Sequence, residues 1–279
     1  MAYYSELTSV QEVRGTYMGI VNPTDDALVR AFVREVSAEI ETYAARALSP
    51  RIETRYYDAV RDVYGAMLLL DDDLLSITTL TNGDAATIAA NQYVFEPRGV
   101  STYWAVRLLN SSGVVWTYST DPENAISVAG TWGYDCSWRR GAKSEWVSTG
   151  TTSGAIASTS ATTFTSSAGA ALREGWLLKI DSEFMYVSDI ATNVITIARG
   201  VNGSTAATHS DGAAVSYWKH DAALEGLAKD AVAARYRLRD NPLADSFVAL
   251  DGSTLAAPKD VSAWLQKRVA ALGLVRMNV

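Results

Sequence analysis

The sequence predicts an α+β fold: a mainly helical core with short antiparallel strands, into which a small all-β module, a barrel or a sandwich, is inserted. Three observations carry this. Helical periodicity near the start of the chain returns near its end, at Leu224, Leu227, Ala231, Ala234 and Leu238. Between the two helical regions lie short alternating or apolar runs closed by turn residues. The stretch from about Thr149 to Trp218 changes composition to Ser, Thr, Gly and Ala, then shows evenly spaced strands of its own. The expected domains are 1–146 for the first part of the core, 147–218 for the inserted module and 219–279 for the helices and tail that complete the core.

The elements follow in order. Thr8 to Tyr17 predicts a short helix, capped by Thr8 or Ser9 and ended by Gly15. Asn22-Pro23-Thr24-Asp25-Asp26 is a helix start: Asn22 or Thr24 can accept orphan N–H groups, and the aspartates suit the positive helix end. Leu28, Phe32, Val36, Ile40, Tyr43 and Ala47 then form one apolar stripe, a helix over about 24–47 that Ser49-Pro50 stops. Ile52, Thr54 and Tyr56 alternate with polar or larger neighbours as a strand does. Ala66 to Leu70 is a short apolar run, Asp71-Asp72-Asp73 a break, and Leu75 to Leu80 a strand before the Asn82-Gly83 turn. Tyr93 to Phe95, Tyr103 to Leu109 and Ala125 to Trp132 read as further strands. The segment from Thr149 to Ser167 fits either linker or exposed strand. Trp176–Ile180, Glu183–Val187, Val194–Ile197 and Ala213–Tyr217 are four strands of the module. A helix through Leu224 to Leu238 ends at Asn241-Pro242. A last helix opens at Pro258, carries Val261, Trp264 or Leu265, Val269 and Leu272 on one face, and stops at Gly273.

The bulk balance narrows the function. The chain has 279 residues and a net charge of −7, which argues against broad phosphate binding. No apolar run approaches the roughly 18 residues of a membrane span, and the first residues lack the pattern of a secretory signal, so a soluble protein is expected. One cysteine, Cys136, excludes an intrachain disulfide. It reads as a semi-buried small residue; a reactive thiol would need the nearby charge of Arg139 or Arg140.

Catalytic patterns are missing. The two histidines, His209 and His220, have no metal-ligand spacing, and no phosphate loop or nucleophile elbow occurs. No enzymatic activity is expected, and no cofactor or metal. Asp71-Asp72-Asp73 could hold a hard cation, but a solvated turn is the preferred reading. Arg235, Arg237 and Arg239 could touch DNA phosphates; complementing the helix end and linking to a neighbouring subunit is preferred. The tryptophans could form a sugar platform, though core or interface packing is the better prior.

The outer residues carry a family resemblance. Asn22 to Leu28 with the helix that follows, Leu68 to Asp84, Tyr103 to Leu109 and Thr131-Trp132-Gly133-Tyr134 resemble, in that order, tailed-phage head–tail connector (adaptor) proteins. Ala234 to Leu243 looks like that family's penultimate helix. Gly175 to Val187 with Ile197 to His209 resembles a β module found in various phage structural proteins.

The resemblance implies a virion protein of the neck, assembled in the host cytoplasm. It implies a ring, commonly of twelve subunits, between the portal and the tail-completion or stopper protein. Genomic DNA would pass through without sequence-specific binding. The apolar tail Leu274, Val275, Arg276, Met277, Asn278 and Val279 is the expected portal-binding element, able to add a strand to a partner's sheet. Two alternatives stand beside this reading: a tail or baseplate adhesin that binds host glycan through the β module, and a carboxylate-dependent glycosidase.

Overall fold

The computed structural model describes residues 4, 6–18, 23–138, 143–239, 246–248, 254–256 and 260–276. Asn22, Arg139, Arg140, Asn241, Pro242, Pro258, Met277, Asn278 and Val279 lie outside these residues. The expectation of a mainly helical core is overturned. Two six-stranded antiparallel sheets dominate the chain. Strand runs that look marginal one at a time gain stability when several of them share an apolar face. Contacts gather the chain into two compact units, Arg46–Ser144, and Met1–Ala45 with Glu145–Val279.

The Arg46–Ser144 unit is all β in its regular structure apart from one short 3₁₀ turn. Its strands are β1 (Arg51–Tyr57), β2 (Val63–Tyr64), β3 (Met67–Thr81), β4 (Tyr93–Glu96), β5 (Tyr103–Leu108) and β6 (Ile126–Trp132). Their order is β1-β6-β3-β5-β4, with β2 on β3. Strand β3 is 15 residues long and serves two partners. Its first part pairs with β5 and its second with β6, with a register shift between Leu69 and Leu74. The three aspartates fall in that shift, so they lie within a strand and are not the turn the sequence suggests. Their charge is met from elsewhere in the sheet: Arg55 reaches Asp71 at 3.2 Å and Asp72 at 2.8 Å, and Arg46 lies 3.4 Å from Asp73.

Strand β6 alternates strictly, with Ile126, Val128 and Trp132 inward against Leu68, Leu74 and Leu80. Trp132 donates its indole N–H to the Glu53 carbonyl at 3.1 Å, and the Arg55 guanidinium covers its ring at 4.6 Å. At Gly130 the strands touch so closely that a Cβ would sit 2.2 Å from the Ser76 carbonyl oxygen. Only glycine fits that crossing.

The other unit joins a β barrel to helices. Its strands are β7 (Glu145–Thr151), β8 (Thr163–Thr165), β9 (Leu177–Ile180), β10 (Glu183–Ala191), β11 (Val194–Ala198) and β12 (Ala214–Lys219). The order β7-β12-β9-β10-β11-β8 closes on itself, because Thr152 bridges Ser166 and the Ser153 amide donates to the Thr165 carbonyl at 2.8 Å. Phe164, Leu178, Ile180, Met185, Val187 and Ile195 fill the interior. The Ser/Thr-rich stretch from Thr149 to Ser167 is therefore not linker: it supplies the end of β7 and all of β8.

The helices are α1 (Val10–Glu12), α2 (Asp26–Ala44), α3 (Ala222–Leu238) and α4 (Val261–Ala271). A full capping box starts α1, with Ser9 and Glu12 each serving the other's backbone. A π-helical segment, Val13–Met18, continues it past Gly15. The buried stripe of α2 holds Val36 and Ile40 as expected, while Val29, Val33 and Ala44 take the places of Leu28, Phe32 and Tyr43. α2, α3 and α4 pack on one another. Arg235 of α3 pairs with Glu39 and, at 2.8 Å, with Glu35, both on α2. A final ladder pairs β13 (Ser246–Val248) with β14 (Thr254–Ala256). Among the described residues no helix is long and apolar enough to cross a membrane.

Candidate functional site

The densest polar cluster sits in the barrel, at the turn from β9 into β10. Glu183 opens β10 with no exposed surface. The turn before it is forced by Asp181, whose φ is 52°. Arg199 grips both Glu183 oxygens, through Nε to Oε1 and Nη2 to Oε2, each at 2.6 Å. The backbone amides of Gly200 and Ala207 donate to the same carboxylate at 3.0 and 2.9 Å. The His209 ring bridges two carboxylates, Nε2 to Glu183 at 2.9 Å and Nδ1 to Asp181 at 2.7 Å. Burial pushes the Glu183 carboxyl up, but Arg199, the Ala207 amide, His209 and the Gly200 amide outweigh it and hold it below its ordinary range.

A carboxylate–histidine–carboxylate row has the look of acid–base machinery. Its geometry gives it another task. Both His209 nitrogens are engaged, and the ring and Glu183 carry no exposed surface. What the row does is fasten the loop 199–209 onto β10. That loop contains Asn202, whose side-chain amide holds the backbone of Tyr4. Tyr4 stacks on Tyr186 at 4.2 Å, and the Tyr186 hydroxyl donates to Glu6 at 2.5 Å. The barrel is thus shaped to seat the N-terminal segment.

The surface of the Arg46–Ser144 unit differs in character. Of eight large apolar side chains that are exposed among the described residues, six belong to this unit: Tyr56, Val60, Tyr64, Val115, Tyr118 and Trp138. Tyr64 borders a groove of about 580 Å³ whose other walls include Met67, Arg107 and Leu109. The exposed apolar side chains are thus concentrated on one of the two units, three of them aromatic rings on Tyr and one on Trp.

The residues singled out in the sequence are scattered. Arg235 pairs with Glu35 and Glu39 on α2 of its own chain, and Arg239, itself exposed, lies 3.3 Å from Asp25. Arg237 sits in the last turn of α3. Leu274 of the tail has no exposed surface, and the Arg276 amide donates to the Ala44 carbonyl at 2.9 Å. The tail's first half is folded onto its own chain because the αL turn at Gly273 aims it back at α2. Val275 remains 40% exposed. Cys136 is wholly buried. Among the described residues no three His, Cys, Asp or Glu side chains are placed to hold a metal ion.

The Glu183 cluster was not assembled by sequence reasoning. Its members come from separate turns of the chain, and the one reading that held them all was the β-module resemblance over Gly175 to Val187 and Ile197 to His209. No protein-family model, no curated protein and no solved structure matches this chain.

Proposed function

We propose that this chain is a virion structural protein, a head–tail connector subunit that forms a ring between portal and tail around the DNA passage. The observation that carries the reading is the concentration of exposed apolar side chains on the Arg46–Ser144 unit. A subunit with neighbours on several sides needs such surface, and aromatic residues are the ones interfaces favour. The ordered resemblance to connector proteins supports it. The net charge of −7 supports it too, because an acidic wall lets a duplex slide.

The connector reading rests on a β-rich body and not on a helical core. Subunit contacts are placed on the Tyr56, Tyr64 and Trp138 surface, since Arg235 and Arg239 have partners within the chain. Portal contact is placed from Val275 onward, since Leu274 is covered. No catalytic role is assigned: His209, held between Asp181 and Glu183, has no exposed side-chain surface.

The test is particle mass. Light scattering of the purified chain, alone and with purified portal, should show a ring or a ring-on-portal complex. Tyr56→Ser with Tyr64→Ser should lower the mass toward that of one chain without loss of folding. A chain that stays monomeric alone and does not join the portal would overturn the reading.

A further inference from the structure

A small cleft in the discontinuous unit has the chemistry of a cation site. It holds about 120 Å³ and is lined by Glu12, Trp176, Tyr217, His220 and Glu225, among others. Pockets for whole small molecules are about 300 Å³ or more, so this one suits a head group.

Three features of the lining agree. His220 is 9% exposed, and its Nδ1 has no hydrogen-bond partner among the described residues. Its imidazole bonds the Glu6 backbone, and burial lowers its pKa to about 4. At neutral pH the ring is uncharged and Nδ1 is a bare acceptor. Glu12 and Glu225 face each other, and one cation serves both: Lys229 Nζ is 2.5 Å from Glu225 and 3.9 Å from Glu12. Burial and the Glu225 charge hold the Glu12 carboxyl above its usual range, as expected where two carboxylates share too little positive charge. Trp176 and Tyr217 stack at 3.9 Å and add a π surface to the wall. The other cation at the rim, Lys219, is itself exposed to solvent.

Glu12 is also bound by the Thr8 hydroxyl at 3.1 Å and by the Ser9 amide, so the acceptors left to a ligand are His220 Nδ1 and Glu225, beside the aromatic rings. We infer that the cleft binds a guanidinium group, which is planar, rich in donors, weakly hydrated and suited to stacking on aromatic rings. An ammonium is a more strongly hydrated point charge and matches the flat wall less well. The group can come from the arginine side chain of a protein partner or from a free guanidino compound.

Saturation-transfer NMR on the full chain tests this with N-ethylguanidinium chloride as probe, against tetramethylammonium chloride at equal ionic strength. Saturable binding of the first and none of the second is expected. Glu225→Gln should weaken it at least about tenfold, the equivalent of about 1.4 kcal/mol. Lys229→Gln removes the internal competitor and should tighten it several-fold. Melting curves accompany both variants. If Glu225→Gln does not fold, Lys229→Gln decides, and no gain in affinity overturns the proposal. Equal binding of the two probes, or no saturable binding, also overturns it. N-acetyl-arginine-amide separates the sources: affinity equal to that of the small probe points to a protein side chain, and exclusion of the blocked residue points to a free compound.

Discussion

Asn202 holds both main-chain polar groups of Tyr4, accepting from its N–H at 2.7 Å through Oδ1 and donating to its carbonyl at 3.0 Å through Nδ2. A side-chain amide here imitates a β-strand partner. The residue also occupies the left-handed region, with φ 50°. Asn202→Gly keeps the backbone and loses both bonds, at a cost of about 1–3 kcal/mol. Asn202→Ala should cost roughly 1 kcal/mol more, for the left-handed conformation. Urea unfolding of the two variants separates the terms. Equal losses would mean that the backbone at this turn relaxes.

Glu183→Gln should be among the most damaging single changes in the barrel. It leaves Arg199 without its carboxylate in a buried place, and breaking such a pair costs about 3–5 kcal/mol. Chemical denaturation would measure it. The charge also has a pH signature. Its folded pKa is depressed, so its stabilisation is present above the unfolded value and disappears as the pH falls through the folded value. That window lies below pH 4.5. The variant should lack this part of the acid transition.

His220 titrates in a higher window. Burial lowers its pKa in the fold to about 4, from an ordinary imidazole value of 6.5. Between these limits the unfolded chain binds the extra proton, so stability rises with pH and levels off above 6.5. The change across the window is roughly 3 kcal/mol. His220→Asn should flatten the profile between those limits. An unchanged slope would show that the ring takes its proton without unfolding.

The tail divides at Leu274. Leu274→Ala removes a side chain with no exposed surface and should cost about 2–4 kcal/mol. Val275→Ser touches a half-exposed side chain and should change stability by no more than about 0.5 kcal/mol. Under the connector proposal Val275→Ser weakens portal binding and Leu274→Ala acts through folding. Thermal melts with portal titrations distinguish them.

Much of the local structure was legible. Ser9 as a cap, Gly273 as a stop and the α3 region as a helix depend on neighbours in sequence, and propensity reports those. The aspartate run was misread because its acceptability inside β3 depends on Arg55 and Arg46, which arrive only when the strands pair. The balance of sheet over helix was missed for a related reason. β7 ends in Ser-Thr-Gly-Thr and β8 is one Phe between two Thr, and only pairing within the barrel turns that composition into strands. The Glu183 cluster required three segments brought to one turn, and no local pattern records that. The outward-facing Tyr56 and Tyr64 were invisible as surface because an aromatic in an alternating strand is equally suited to the core.

Barrel closure at Thr152 and Ser166 has a consequence for growth. A sheet joined to itself offers no free row of amides and carbonyls, so it can be multiplied only as a whole body. The sheet of the Arg46–Ser144 unit is different, with β1 and β4 standing at the ends of its strand order. The barrel is thus a finished tile, and the Arg46–Ser144 sheet is a hem that can be sewn to something else. Strand-by-strand extension between molecules begins at such a hem or at the short β13–β14 ladder, and not at the barrel.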